Sequence, residues 1–299
     1  MHRVLVPAIS AAILLAAGWA WLAFFPALPV DLGGVESLDP KAEKVRIPVG
    51  SDDAVEGWYV RGSEPAAVLL LHGHGRNHQR MWRYGHFLSR AGYAVLAIDF
   101  RSAREHRRLP TTLGHHELSD AQAALDWLRA RPDLDGHAIG VFGESLGGSV
   151  AIRLAAANPD VGAVVDDSGF STGAEAIADF FRGVWLPAWP ATPLARRLGI
   201  VVTGHDPGAH DVLAAAATLR ERPLLFIHCM SDRRISPEQS RAVWRAAGEK
   251  DTLLLLPGGH NEGWKKSQAR YEAAVTTFLD EHLLLAWARA NARRATGGR

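Results

Sequence analysis

The feature that most constrains this 299-residue chain is a series of short apolar runs set between longer segments of helical period. Ala67–Leu71, Ala94–Asp99, Ile139–Phe142, Val161–Val165, Leu224–His228 and Leu253–Leu256 are each too short for a helix with a stable apolar face. Runs of this length without polar alternation are expected of strands buried on both sides. Met81–Ala91, Leu118–Ala130, Ser145–Ala157, Ser236–Ala247 and Gln268–Leu285 lie between or after them. In the second of these, Ala121, Leu125 and Leu128 share one helical face. Alternation of this kind predicts an α/β fold, a mostly parallel sheet with helices on both faces. Val45–Val49 and Val55–Val60, with Gly50–Asp53 between them, predict an added hairpin.

Composition narrows the function classes. Apolar residues make up 47% and charged residues 22%, so a disordered chain is not expected. The 33 Lys and Arg balance 32 Asp and Glu, which gives no whole-molecule reason to expect nucleic-acid binding. Cys229 is the single cysteine, so an internal disulfide and a cysteine-cluster zinc site are both excluded.

Val4 to Val30 contains no charged residue. Within it, Ala8–Phe25 would reach about 27 Å as a helix, against a hydrocarbon core of roughly 30 Å. Trp19, Trp21, Phe24 and Phe25 fall where an aromatic belt would lie, and Pro26 and Pro29 follow. A membrane anchor, a cleaved signal peptide and a soluble buried helix all compete. The run ends in large residues rather than an A-x-A-like site, which favours an uncleaved anchor over residues 1–30. Arg3 precedes the run, while Asp31, Glu36 and Asp39 follow it before any lysine. That bias places the main domain outside the cytoplasm, with secretion after cleavage as the alternative. Residues 31–44 read as a linker, 45–288 as the main domain and 289–299 as a basic, frayed tail. Phe170–Leu219, with Phe180, Phe181, Trp185, Trp189, Pro187, Pro190 and Pro193, breaks the strand rhythm. It reads as an insertion over about 170–219, either a lid or ordinary helical packing at the sheet edge.

Gly143-Glu144-Ser145-Leu146-Gly147 is a G-x-S-x-G set between an apolar strand and a helix. That is the setting of a nucleophile elbow, where a serine sits on a tight turn and the glycines let backbones approach. The helix N-terminus adds a positive dipole beside a developing oxyanion.

With LLLHGHG at 69–75, GYAVLAIDFR at 92–101, GESLGG at 143–148, IHCMSDRRIS at 227–236 and PGGHN at 257–261, the chain resembles the α/β-hydrolase superfamily. The likeness runs from about residue 45 to 285, and the layout looks most like bacterial serine hydrolases of the Bem46-like kind. The resemblance implies an α/β-hydrolase fold with a helical lid and an N-terminal transmembrane helix. It implies Ser145 as nucleophile, His260 as base and Asp232 as the acid that orients the imidazole. The backbone N–H groups of His74 and Leu146 would form the oxyanion hole. The expected reaction is cleavage of an ester or related acyl bond through an acyl-enzyme, without metal or cofactor. The expected partners are a small or lipid-like acyl substrate and, through the N-terminal helix, a membrane.

Alternatives stay open at this point. Asp166 and Asp167 also follow a strand and compete for the acid role, while Glu144 reads as a structural partner of the turn. His228 and His282 lie inside a strand and a helix and read as poorly placed. His72-x-His74-x-x-x-His78 has a metal-like spacing, but the glycine-rich turn accounts for two of its members. Cys229 reads as a small buried hydrophobe, and the loop Ser102–His106 is bulkier than the family pattern. The acyl acceptor is open among water, alcohol and amine, and a silent binding protein on the same fold is a further reading. A histidine base must be neutral to work, so activity is expected to fall below about pH 6–7.

Overall fold

The computed structural model describes residues 18, 21, 23–26, 39–103, 109–136 and 138–295. Most of the apolar N-terminal segment and of the 31–44 linker lies outside the described residues, as do residues 104–106 of the loop after Ser102 and residues 296–299. Among the described residues, no helix is long and apolar enough to cross a membrane.

Eight strands form one sheet in the order β1-β2-β4-β3-β5-β6-β7-β8. β1 (Glu43–Val49) and β2 (Asp53–Val60) form the expected hairpin, and β2 is also antiparallel to β4 (Ala94–Asp99). From β4 onward all neighbours are parallel: β3 (Ala67–Leu71), β5 (Ile139–Glu144), β6 (Ala163–Asp167), β7 (Leu224–Cys229) and β8 (Thr252–Leu256). Parallel neighbours require crossovers, which the helices supply.

The two-residue period of a strand divides the core in two. In β3, Ala67, Leu69 and Leu71 face one apolar cluster while Val68 and Leu70 face the other. The first cluster is closed by α2 (His115–Arg129), α3 (Leu146–Ala157), α6 (Val212–Ala217) and α7 (Pro237–Ala246). The second is closed by α1 (His78–Arg90) and α9 (Gln268–Leu279). Every residue of β3, β4, β5, β6 and β7 is buried, so no polar alternation was available to mark them.

The insertion contains α4 (Gly173–Gly183), α5 (Ala188–Thr203) and α6. α4 begins on Thr172, whose hydroxyl accepts from the Glu175 N–H, an N-cap that satisfies one of the helix's orphan donors. α8 (Gly263–Lys266) follows β8, and α9 continues through a π turn into α10 (Leu285–Ala295). Two boundaries therefore differ from expectation. The first strand begins inside the expected linker, at Glu43, and the expected frayed tail is helical as far as Ala295. The helix runs on because it buries Leu283 and packs Leu284 and Trp287 against the second cluster, with Trp287 Nε1 donating to Asp135 at 2.8 Å.

Candidate active site

Because β3, β5, β7 and β8 run the same way, their C-terminal ends share one edge of the sheet, where open α/β sheets bind ligands. The four loops leaving that edge carry His74, Ser145, Asp232 and His260.

Ser145 sits between β5 and α3 with φ 57° and ψ −116°, a conformation that L residues rarely adopt. The surrounding glycines hold it there. A Cβ on Gly143 would lie 2.0 Å from the Gly147 carbonyl oxygen, and one on Gly147 would lie 2.0 Å from that of Leu71. A Cβ on Gly148 would meet Asp166 Oδ1 at the same distance. The turn is therefore pressed against the end of β3 and against β6, and no side chain fits between. The Ser145 N–H donates to the Asp167 carbonyl at 2.7 Å, which ties the turn to β6.

Three side chains then meet. His260 Nε2 lies 3.0 Å from Ser145 Oγ, and His260 Nδ1 lies 2.7 Å from Asp232 Oδ2. Asp232 Oδ1 accepts from the N–H groups of Arg234 and Ile235 at 2.8 and 3.1 Å. Burial works against the Asp232 carboxylate, but hydrogen bonds from His228 and His260 and from the loop backbone outweigh it. They hold its pKa below the ordinary value. His260 is placed by Gly258, whose φ of 124° only glycine adopts readily, and by Asn261, whose side-chain amide donates to Glu144 at 2.9 Å.

The competing acids are engaged elsewhere. Asp166 Oδ1 accepts from the Gly169 N–H, and burial pushes the Asp166 carboxyl up to about 7. Asp167 accepts from Tyr271 at 2.6 Å and from Ser168 at 2.8 Å. Glu144 is fully buried and accepts from Arg80, Arg83, Tyr84 and Asn261, so it links the elbow to α1 and to the histidine loop. Burial would raise its pKa, but the two guanidinium groups and the Tyr84 hydroxyl lower it.

Two contributors were not legible in the sequence. His228, which reads as poorly placed on its strand, reaches Asp232 Oδ2 with Nε2 at 3.2 Å. Its Nδ1 is 2.7 Å from Ser240 Oγ. Phe24, from the apolar N-terminal run, is 1% exposed and walls the same cavity as Ser145. The signal for Phe24 was present only as hydrophobicity, which a membrane helix explains equally well.

The histidines of the 72–78 pattern have separate duties. His72 accepts from the Phe100 N–H through Nε2 at 3.0 Å, and its Nδ1 lies 2.8 Å from the Gly73 carbonyl. His78 is held by Asp99, and His74 Nε2 lies 2.6 Å from the Ala23 carbonyl. Among the described residues, the imidazoles close enough to share a metal ion are instead His115, His116 and His205, with ligand atoms within 4.8 Å of one another. Cys229 is buried, and burial pushes its thiol up to about 12, as befits a small apolar filler.

Ser145, Leu146, Gly73, His74 and His260 line a cavity of about 450 Å³. The insertion supplies much of its apolar wall through Phe170, Ile177, Phe180 and Phe181. Trp185 and Trp189 instead point to solvent, 89% and 80% exposed.

A profile of the alpha/beta hydrolase family matches residues 68–289. The chain belongs to that family. It is 31% identical over 258 residues to a Mycobacterium tuberculosis protein, Rv2307c, named only as uncharacterised, covering 82% of this chain and 84% of that one. The structure superposes on the Pyrococcus furiosus esterase Pf2001 with a TM-score of 0.71 at 22% identity, covering 87% of this chain and 98% of that one. It also superposes on a Pyrococcus horikoshii acylaminoacyl peptidase, with a TM-score of 0.61 at 18% identity over 84% of this chain and 44% of the other. At these identities the two structures share the fold with this chain.

Proposed function

We propose that this hydrolase-family chain cleaves ester or related acyl bonds through Ser145, His260 and Asp232. The observation that carries the reading is the relay at one cavity: 3.0 Å from Ser145 Oγ to His260 Nε2 and 2.7 Å from Nδ1 to Asp232. These are hydrogen-bond distances for a nucleophile, its base and the group that orients the base. In the proposed reaction Ser145 Oγ attacks the carbonyl carbon as His260 takes its proton. The tetrahedral oxyanion is met by the N–H groups of His74 and Leu146, both in the cavity wall. His260 returns the proton to the leaving oxygen as the carbon–oxygen bond breaks. Water then attacks the acyl-enzyme by the same route, which releases the acid and restores the serine. Asp232, held ionised by its hydrogen bonds, stabilises the imidazolium in each half.

The apolar walls favour an acyl chain over a polar one, which supports an esterase above a peptidase. A thioesterase and an acyltransferase use the same machinery with a different leaving group or acceptor. Labelling by a fluorophosphonate probe, lost in Ser145→Ala, tests the nucleophile. A panel of acyl chain lengths with thioester and peptide controls then assigns the bond. Absence of labelling in the wild type would favour a binding protein on this fold.

The anchoring role of residues 1–30 belongs to the same proposal, with the hydrolase domain outside the cytoplasm. The uncharged run to Val30 supports it, and so do the two solvent-facing tryptophans of the insertion. A reporter fused after residue 35 that reads as cytoplasmic would reverse the topology.

A further inference from the structure

The cavity that holds Ser145 and His260 is also walled by Arg76, Arg80 and Arg234 and, among the described residues, by no carboxylate side chain. The chain as a whole carries a formal charge of only +1, so this concentration is local. Arg80 is answered by Glu144, 3.3 Å from its Nε. Arg76 and Arg234 are exposed, and no described carboxylate lies within ion-pair distance of either. They also repel each other: the Arg76 pKa is lowered by burial first, then by the charges of Arg80 and Arg234. One arginine leaves the His74 loop and the other lies two residues beyond Asp232, so they approach the reacting serine from two separate loops. Another part of the wall is apolar and buried, with Phe24, Phe170, Ile177 and Phe181.

Like charges placed together at the rim of a cavity are stabilised by an anion, and guanidinium groups match phosphate and carboxylate geometry. Resting on the hydrolase reading above, we propose that the substrate is an anionic amphiphile. Its apolar acyl chain lies along the phenylalanine wall, and its phosphate or carboxylate, on the alcohol side of the scissile bond, is held by Arg76 and Arg234. The alcohol side is assigned because the arginines are exposed at the mouth, where a leaving group departs, whereas the apolar wall is closed.

The test compares 3-octanoyloxy-4-nitrobenzoate with its methyl ester by nitrophenolate release. The two share the acyl chain and nitrophenol core and differ in the charge on the leaving group, so each kcat/KM is divided by that ester's own reactivity toward imidazole. The expected result is a kcat/KM at least about tenfold higher for the carboxylate at low ionic strength, expressed mainly in KM, and shrinking as salt is added. In the Arg76→Gln/Arg234→Gln double variant the ratio should fall toward one. Equal rates for the two esters in the wild type, or a preference that survives in the double variant, would overturn the proposal. A binding arm separates it from the hydrolase reading. Ser145→Ala protein is titrated calorimetrically with octyl phosphate, octanol and inorganic phosphate. Octyl phosphate is expected to bind at least about tenfold more tightly than either fragment, and the gain is expected to vanish in the arginine variant. If neither ester is cleaved in a Ser145-dependent way but this pattern holds, the hydrolase reading fails and the anion site stands. If octyl phosphate binds no better than octanol, the anion site falls whatever the esters do.

Discussion

Asp166 and Asp232 are both buried, yet their surroundings push them in opposite directions. Asp232 is low because two histidines and two backbone amides bind its ionised form. Its contribution to stability is present above its unfolded pKa near 4 and is lost as pH falls below that. Asp166 has one amide on Oδ1 and, among the described residues, no hydrogen-bond partner on Oδ2, so burial dominates and its pKa rises to about 7. The folded state therefore keeps a proton that the unfolded chain has released above about pH 4, and stability is lost as pH rises from there to about 7. Asp166→Asn removes that loss. The variant is expected to gain on the order of 4 kcal/mol relative to wild type between pH 4 and pH 8, read from urea unfolding at both values. Parallel pH profiles for the two proteins would show that Asp166 is ionised throughout. A second residue-scale prediction concerns His228, which shares Asp232 Oδ2 with His260. With His228 replaced by Gln, Asp232 keeps its backbone donors but loses one side-chain restraint. Steady-state kinetics are expected to show kcat lower by roughly tenfold to a hundredfold, with KM changed far less. A fall confined to thermal stability would assign His228 to packing alone.

At the level of the element, the elbow is a contact between β5, β3 and β6 that leaves no room for side chains. Gly147→Ala would drive a methyl group to 2.0 Å from the Leu71 carbonyl oxygen, so β3 or α3 must move. The expected cost is about 3 kcal/mol or more, seen as a lower melting temperature by circular dichroism. Gly136→Ala, where nothing lies within 4 Å of the added Cβ, is expected to stay within about 0.5 kcal/mol of wild type. The same local tightness explains why this part of the molecule was readable. A glycine-flanked serine between an apolar strand and a helix has few alternative uses, and β3 is so uniformly apolar that its bounds match the sequence reading residue for residue, as do those of β4, which ends on Asp99. β6 and α1 were read less well. β6 runs to Asp167 rather than stopping at Val165: Tyr271 and Ser168 donate to the Asp167 carboxylate and the Gly169 amide donates to Asp166 Oδ1, which lets both acids lie in a buried strand. α1 starts at His78, three residues before its first apolar position, because Asp99 receives the His78 N–H. Of the site, Ser145 could be placed from its glycine-flanked turn, whereas His260 and Asp232 followed from the family resemblance, since Asp166 and Asp167 also follow a strand. The Glu144 network and His228 could not be placed, since they depend on side chains meeting across 60 or more residues or on a strand face that sequence does not orient.

Across the whole molecule, the end of the apolar N-terminal run is part of the cavity that the relay opens into. The Phe24 carbonyl accepts from the Thr111 N–H at 2.9 Å, and His74 Nε2 lies 2.6 Å from the Ala23 carbonyl. The Phe24 ring fills the space beside Gly199 of α5, where a Cβ would come within 2.6 Å of its Cζ. Residues 23–26 thus join the His74 loop, the Thr111 segment and the insertion at one wall, and their removal would open it. Cleavage of a signal peptide after Pro26 would discard that wall, whereas an uncleaved anchor would keep it and hold the cavity at a fixed distance from the bilayer. Retention is therefore the expected state, and the intact mass of protein extracted from the producing cells should include residues 23–26. A chain lacking residues 1–26 is expected to melt at a lower temperature and to discriminate less between short and long acyl esters, while one lacking residues 1–17 should keep its chain-length profile. Phe24→Ala makes the smaller change, with an expected loss of about 3 kcal/mol and the same blurring of selectivity. If deletion of residues 1–26 leaves both stability and chain-length preference as in the full chain, residues 23–26 do not shape the cavity, and the proposed anchor and the hydrolase-family domain act as separate parts.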